Sequence, residues 1–335
     1  MITPAPAIQL SRGRSDVGRP IMRLLLRPEL PALIFFCVLV AVFTPIAPGF
    51  LTAQNLQQVI VQVAIIGIIA AGVNQVILAG EIDVSVGSGL ALCAWASGSV
   101  ALSRGGILLP LLVSLGVGAG IGVINGLLTV KARIPSIIVT LGMLYAIRGV
   151  ENVLNAVGLS GIPMSSRGMG LGSILGVNVE VIVFVLVFAV VAVIMRHTAW
   201  GRETPAVGGN RRAARHDGVN INGIRFGTFI LSGLCVGVAA MVYVGQVAAV
   251  QSGAETGLEL QVIAAVVIGG TSISGGRGST LAAVAGAIVI GTMLDGMSLL
   301  GIVERWQDVF TGGVILFAVG SDVVRRRLVG RLVGS

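Results

Sequence analysis

Long apolar runs alternate with short polar ones along the whole chain. Residues 30–80 hold no charged side chain. That is enough for two passes of about 20 residues through a hydrocarbon core, parted by Pro48, Gly49 and the polar stretch 54–58. Read onward in this way, the pattern predicts ten crossings, near 30–47, 58–79, 85–103, 106–130, 135–154, 178–195, 224–246, 258–272, 279–299 and 307–321. Two of these, 258–272 and 307–321, are short, which suits tilted, broken or re-entrant segments.

Composition removes the alternatives to a membrane protein. Of 335 residues 55% are hydrophobic and 11% charged, whereas a soluble domain carries about 25% charged residues. A soluble enzyme is excluded, and the fold class is an all-α polytopic membrane protein. The net charge is +8, from 21 Arg and the single Lys131 against 14 acidic residues. These cations lie between apolar runs and report orientation, not a nucleic-acid partner. With the N-terminus in the cytoplasm and each span alternating, 18 of the 22 cations fall inside. Arg104, Arg148, Arg167 and Arg305 remain at the outer ends. Both termini are therefore expected in the cytoplasm. Residues 1–29 read as a basic cytoplasmic arm contacting anionic lipid and not as a cleavable signal. Residues 30–321 form one transmembrane domain with a cytoplasmic loop at 196–225, and 322–335 form a basic cytoplasmic tail.

Candidate chemistry is sparse. Cys37, Cys93 and Cys235 sit singly in apolar runs, and His197 and His216 lie in an Arg-rich stretch, so neither a disulfide framework nor a metal site is expected. Gly270 and Gly275 have phosphate-loop spacing, but Gly276 and Arg277 follow where Lys and Ser or Thr are required. No cofactor is expected on this chain. Among ionisable residues in apolar surroundings, Arg148 and Glu151 are spaced to pair, as are Glu304 and Asp308 with Arg305. Asp295 reads as isolated. The amides Asn74, Gln75, Asn125 and Asn155 are candidates for a polar pathway or for hydrogen bonds between helices. With aromatics at 4%, stacking platforms for a solute are few, which implies a weakly binding channel.

The glycines divide into two uses. Gly118, Gly122 and Gly126 recur every four residues, with Gly116 and Gly120 alongside, a ladder suited to tight packing or to a moving surface. Two other segments mix glycine with polar residues at the predicted membrane edge: residues 80–88 (GEIDVSVGS) and 269–279 (GGTSISGGRGS). They read either as cytoplasmic turns or as broken helices at a pathway or partner contact. Residues 76–88 and 267–279 match at 5 of 13 positions, a hint of an internal half-repeat. In the loop 196–225, which holds six Arg, Asn210 is placed to cap a helix over 211–217 that Gly218 ends. That helix serves either as a basic surface on lipid headgroups or as a docking knob for a soluble partner.

Three motifs in this order resemble the membrane-spanning permease of bacterial sugar ABC importers of the ribose/xylose/arabinose type. Residues 80–88 are similar to the family's GGIDLSVGS signature, 208–218 to GGNxxAAxxxGI, and 267–279 to VxGGxSxxGGxGS, with the likeness running over about 30–325. Glu81 departs from the pattern, since the family commonly has a second Gly there. The resemblance implies about ten helices and an inner-membrane location. It also implies pairing with a second permease chain, solute delivery by a periplasmic or lipoprotein sugar-binding protein, and power from a separate cytoplasmic ABC ATPase that carries the ATP. By the same resemblance Gly208, Gly209, Asn210, Ala213, Ala214 and Gly218 form the ATPase-coupling helix. Asp83, Ser85, Gly87, Gly270, Ser272, Gly275 and Gly276, with Asn74, Gln75 and Asn125, are the signature and pathway candidates. Small side chains at Ala213 and Ala214 are expected to admit the partner closely. The alternative reading is an ion-coupled secondary transporter of a small polar solute.

Overall fold

The structure is a computed structural model that describes residues 30–333. The predicted arm at 1–29 lies outside the described residues. A helix stands at each of the ten expected places: α1 (Leu30–Ile46), α2 (Ala53–Leu78), α3 (Val86–Arg104), α4 (Leu108–Val130), α5 (Ser136–Leu154), α6 (Val179–His197), α9 (Ile221–Val247), α10 (Leu258–Ile268), α11 (Thr280–Leu299) and α12 (Glu304–Val333). Between α6 and α9 lie α7 (Ala199–Gly209) and α8 (Arg211–His216). Among the described residues seven helices, namely α2 to α6, α9 and α11, are long and apolar enough to cross a bilayer. α12 joins the last expected span to the basic tail in one 30-residue helix.

The bundle is all-α, with two short ladders in its loops. Two antiparallel ladders of two residues each tie loops together: β1 (Leu159–Ser160) pairs with β4 (Ala249–Val250), and β2 (Ser173–Ile174) with β3 (Val177–Asn178).

Side-chain caps set where several helices begin. Thr52 accepts from Asn55 N and starts α2 at Ala53, so the polar stretch 54–58 is the first turn of a helix and not a break between spans. Asn220 accepts from Gly223 N to start α9, and Ser279 from Ala282 N to start α11. Each such cap satisfies an amide that the helix itself leaves unpaired.

α2, α9 and α11 form the buried centre, whereas α5 and α6 turn most of their residues outward. The exposed Ile138, Val185, Leu186 and Val190 give the outer helices an apolar coat suited to lipid. The glycine ladder is used for tight packing. A methyl group at Gly118 would collide with Gly233 O, and one at Gly122 with Phe229 O, so the backbones of α4 and α9 touch. Ser114 donates to Gly237 O at 2.7 Å and adds a hydrogen bond across the same seam. Gly116 and Gly120, on other faces of α4, meet nothing within 4 Å.

α1, with 17 residues, and α10 both fall below spanning length, and α10 falls furthest. Its 11 residues reach about 16 Å, half the roughly 30 Å of a hydrocarbon core. The expected span 258–272 therefore stops at Ile268. Non-helical backbone on either side of such a half-helix survives only where protein covers it. α10 is enclosed by α2, α11 and α12.

Candidate functional site

The three glycine-rich motifs meet at one end of the bundle. α2 ends at Leu78, and Leu78 O accepts from Gly276 N at 3.0 Å. Between those two groups sits Gly208, near the end of α7, where any β-carbon would overlap Leu78 O. A β-carbon on Gly276 would lie 2.5 Å from Gly209 Cα, and Gly276 also has φ +76°. The segments after α2 and α10 thus press backbone to backbone against the end of α7, a contact that only glycine permits.

Glu81 locks this junction. Its Oε1 accepts from Arg211 Nη2 and Arg225 Nε, both at 2.5 Å, and its side chain is only 5% exposed. Arg211 Nη2 also donates to Gly80 O at 3.0 Å. The residue that departs from the resembling signature is therefore the counter-charge holding α8 and the start of α9 to the end of α2. Two of the six loop arginines are thus tied to Glu81, Arg225 at 15% exposure and Arg211 still 43% exposed. A cavity of about 510 Å³ opens beside the clamp, lined among others by Glu81, Arg133, Ser136, Arg211, Arg225 and Ser274.

Residues 81–85 have no regular secondary structure and lead from the clamp into α3. Their backbone is covered by α5: Ile82 N donates to Ser136 Oγ at 3.1 Å, and Thr140 Oγ1 donates to Ile82 O at 3.2 Å. Asp83 is buried. Its Oδ1 accepts from Ser85 N at 3.0 Å and from Ser85 Oγ at 2.6 Å, and its Oδ2 from Ser232 Oγ at 3.1 Å. Asn125 Nδ2 donates to Ser85 Oγ at 2.8 Å. Asp83, Ser85 and Asn125 therefore fasten this connection to α4 and α9. Residues 79–85 interrupt the helical run between α2 and α3, each long enough to cross a bilayer on its own, and are largely buried in protein, as such backbone must be.

The second interrupted segment, after α10, is held similarly. Thr271 Oγ1 donates to Asn74 Oδ1 at 2.6 Å, and Gln75 Nε2 donates to Ala71 O at 3.1 Å and to Thr280 Oγ1 at 3.4 Å. Ser272 N donates to Arg277 O at 2.8 Å. Gly270 is left-handed at φ +107°, and Gly275 lies against Gly80. Gly87 is buried at the start of α3 against the Glu259 side chain. Asn74, Gln75 and Asn125 thus make hydrogen bonds between elements.

The expected short helix is present, with Asn210 Oδ1 accepting from Arg212 N and Ala213 N, and Gly218 left-handed just past its end. Sequence reasoning missed α7, which precedes it. The pair packs on a separate small core of Val207, Ala214, Ile221 and Ile224, flanked by Trp200 and Val219. This corrects the expectation for Ala214: it is 4% exposed and faces its own chain. Arg212, Ala213 and Arg215 remain exposed on α8.

Two expectations about charges also change. Asp295 is not isolated, because its Oδ2 accepts from Asn55 Nδ2 at 2.8 Å. Arg148 donates to Ala254 O at 2.7 Å, while Glu151 accepts from Asn155 Nδ2 at 2.9 Å and from Gly253 N at 3.1 Å, so both are engaged by the loop after β4. Arg167 pins the end of α9 through Gly245 O at 2.9 Å and Gln246 O at 3.2 Å. The Glu304 side chain lies outside the described residues.

Comparison with known proteins gives a consistent picture. The family model described as "Branched-chain amino acid transport system / permease component" matches residues 55–319. The ribose import permease protein RbsC of Escherichia coli (strain K12) is 36% identical over 307 residues, covering 88% of this chain and 93% of that protein. The L-arabinose ABC transporter permease protein AraH of Azospirillum brasilense is 32% identical over 326 residues, 97% and 94% of the two chains. The autoinducer 2 import system permease protein LsrC of Enterobacter sp. (strain 638) is 35% identical over 298 residues, 88% and 86% of the two. No solved structure matches the chain.

Proposed function

Because the chain belongs to the branched-chain amino acid transport system / permease component family, we propose that it is the transmembrane permease subunit of an ATP-binding cassette importer for a simple sugar. The sugar class, a pentose, hexose or deoxyhexose, follows the printed names of near-full-length relatives, which specify ribose and L-arabinose import. The chain is a transport component of the bacterial inner membrane and crosses it many times.

In this reading it crosses ten times with both termini in the cytoplasm. α1 and α10 are short, and the non-helical backbone beside α10 makes up part of the missing depth. A second permease chain completes the pathway, an extracytoplasmic binding protein delivers the sugar, and a separate cytoplasmic ATPase holds the ATP. No cofactor is bound by this chain. The exposed face of α8, with Arg212, Ala213 and Arg215, is the surface the ATPase grips.

The observation that carries this reading is the junction. A helical hairpin too small to act alone touches both interrupted segments through Gly208, Gly209 and Glu81. Force applied to α8 therefore reaches the end of α2, the start of α3 and the linker from α10 to α11 together. Such a lever does work only if its partner binds two arrangements with different affinity. The test is accumulation of labelled sugar in proteoliposomes, with and without the ATPase. Uptake against a gradient should need both the ATPase and ATP. Uphill accumulation by this chain without any nucleotide-hydrolysing partner would overturn the proposal.

A further inference from the structure

At the end of α2 remote from the junction, a cavity of about 560 Å³ opens between α2, α9 and α10. This is within the range of about 300–1,000 Å³ for small-molecule sites. Its polar wall is made of amides: Gln54, Gln57, Gln58 and Gln62 on α2, Gln246 on α9 and Gln261 on α10. Gln54, Gln58 and Gln62 are four residues apart, which puts them on one helical face. Gln54, Gln57 and Gln58 are exposed at the mouth, Gln62 is half-buried, and Ile65 and Ile66 lie buried a turn deeper. The row from Gln54 to Gln62 descends about 12 Å. None of the pathway candidates picked from the sequence lines this cavity.

Four amides on one helix end in a membrane protein do not face hydrocarbon, because an uncompensated polar group there costs several kcal/mol. They face water or a solute. Gln246 Nε2 reinforces the point: it is buried and has no hydrogen-bond partner among the described residues. A primary amide offers two donors and an acceptor with no charge, which matches hydroxyl groups that each donate and accept. Among the described residues no Lys, Arg or His lines the cavity, so an anionic solute finds no counter-charge there. Tyr243 supplies an aromatic wall.

We infer that this amide-lined cavity receives an uncharged, polyhydroxylated solute, and that Gln58 and Gln62 are specificity-determining residues of its entry path. The inference rests on the sugar-permease reading and adds the place and the recognising groups. Each amide–hydroxyl bond replaces one to water and is worth little net, so binding is weak and its loss appears in KM.

The test uses the permease assembled with its ATPase and binding protein in proteoliposomes, with a panel of labelled pentoses, hexoses and deoxyhexoses. Gln58→Leu and Gln62→Leu should each raise KM for the transported sugar by about 3–10-fold, and Gln62→Asn by less, given the small net worth of one such bond. A second measurement does not depend on the Leu variants folding. Gln62→Cys in a Cys37→Ser background should react with a membrane-impermeant thiosulfonate, and the transported sugar should slow that reaction. Unchanged KM in folded Leu variants, or an introduced thiol that is unreactive or not protected by sugar, would overturn the inference alone. If the wild-type assembly takes up none of the panel, the sugar reading itself falls, and the inference with it.

Discussion

Replacing Glu81 with Gln removes the charge at the junction and keeps the shape. Charge-assisted hydrogen bonds contribute about 1.5–3 kcal/mol each. Arg225 is 15% exposed and should give nearly that. Arg211 is 43% exposed, so its share is discounted toward the surface range of about 0–1 kcal/mol. The clamp therefore holds the hairpin to the end of α2 by about 2–3 kcal/mol. Gln retains one acceptor but leaves Arg211 and Arg225 facing each other, with Arg133 lining the same cavity, so repulsion offsets what is kept. Losing about 2 kcal/mol raises local opening about 30-fold.

Hydrogen exchange on the purified chain in nanodiscs reads this directly. Amide protection across 208–225 should fall by that factor in Glu81→Gln, while the interior of α11 keeps its rate. ATP-driven uptake by the assembled complex should fall in parallel, because a loosened hairpin no longer moves the interrupted segments with it. A double-mutant cycle with Arg225→Gln isolates the pair, and the two changes together should cost less than their sum. Unaltered protection across 208–225 in Glu81→Gln would refute the clamp, whatever happens to uptake.

Other substitutions separate packing from docking. Gly276→Ala forces a left-handed alanine, at about 1–2 kcal/mol, into Gly209; uptake should fall more than about tenfold while size-exclusion profiles show inserted, folded protein. Gly122→Leu drives a side chain into Phe229 O and should separate α4 from α9, lowering the melting temperature by an overpacking cost of about 1–3 kcal/mol. Ala213→Trp, on the exposed face of α8, should abolish ATP-driven uptake with an unchanged melting temperature. Ala214→Trp, inside the hairpin core, should lower that temperature as well; equal thermal behaviour of the two would contradict the burial difference.

The positions of the ten apolar segments were legible because lipid demands long uninterrupted runs, and each run falls on a helix. The early stop of α10 was not, since Gly269 and Gly270 leave the hydropathy pattern unbroken. α7 escaped notice because Pro205 and the Gly208–Gly209 pair read as helix breakers. What overrides them is tertiary: Trp200 and Val207 pack on Ile221 and Ile224, residues of another helix. The amide row carried a readable signal. Thr52 followed by polar residues at four-residue spacing marks a helix start with a polar face, where an interpretation from charge-free length saw a gap between spans. The partners of Glu81 and Asp295 had no local signal. They come from 130, 144 and 240 residues away, and only the packed bundle brings them together.

The two ends of the molecule are joined by α2. Its 26 residues form a rod of about 39 Å. One end carries the amides of the cavity, and the other ends at Leu78 against Gly208 and Gly276. Along its middle it is buried, and Gly72 lies against Ser232 and Cys235 of α9 at van der Waals limits. A rod so enclosed resists bending, so displacement at the junction is transmitted lengthwise or by rotation. Rotation is the economical motion, because the row 54–62 lies on one face and a turn of the helix withdraws all its amides together. The Asp295–Asn55 hydrogen bond ties the first turn of α2 to α11 and opposes that rotation. Asn55→Leu, by removing the tie, should therefore change the labelling rate of a cysteine introduced at position 62, although residue 55 does not line the cavity. An identical rate with and without the bond would mean that α2 does not rotate, and that the junction reaches the cavity by another route.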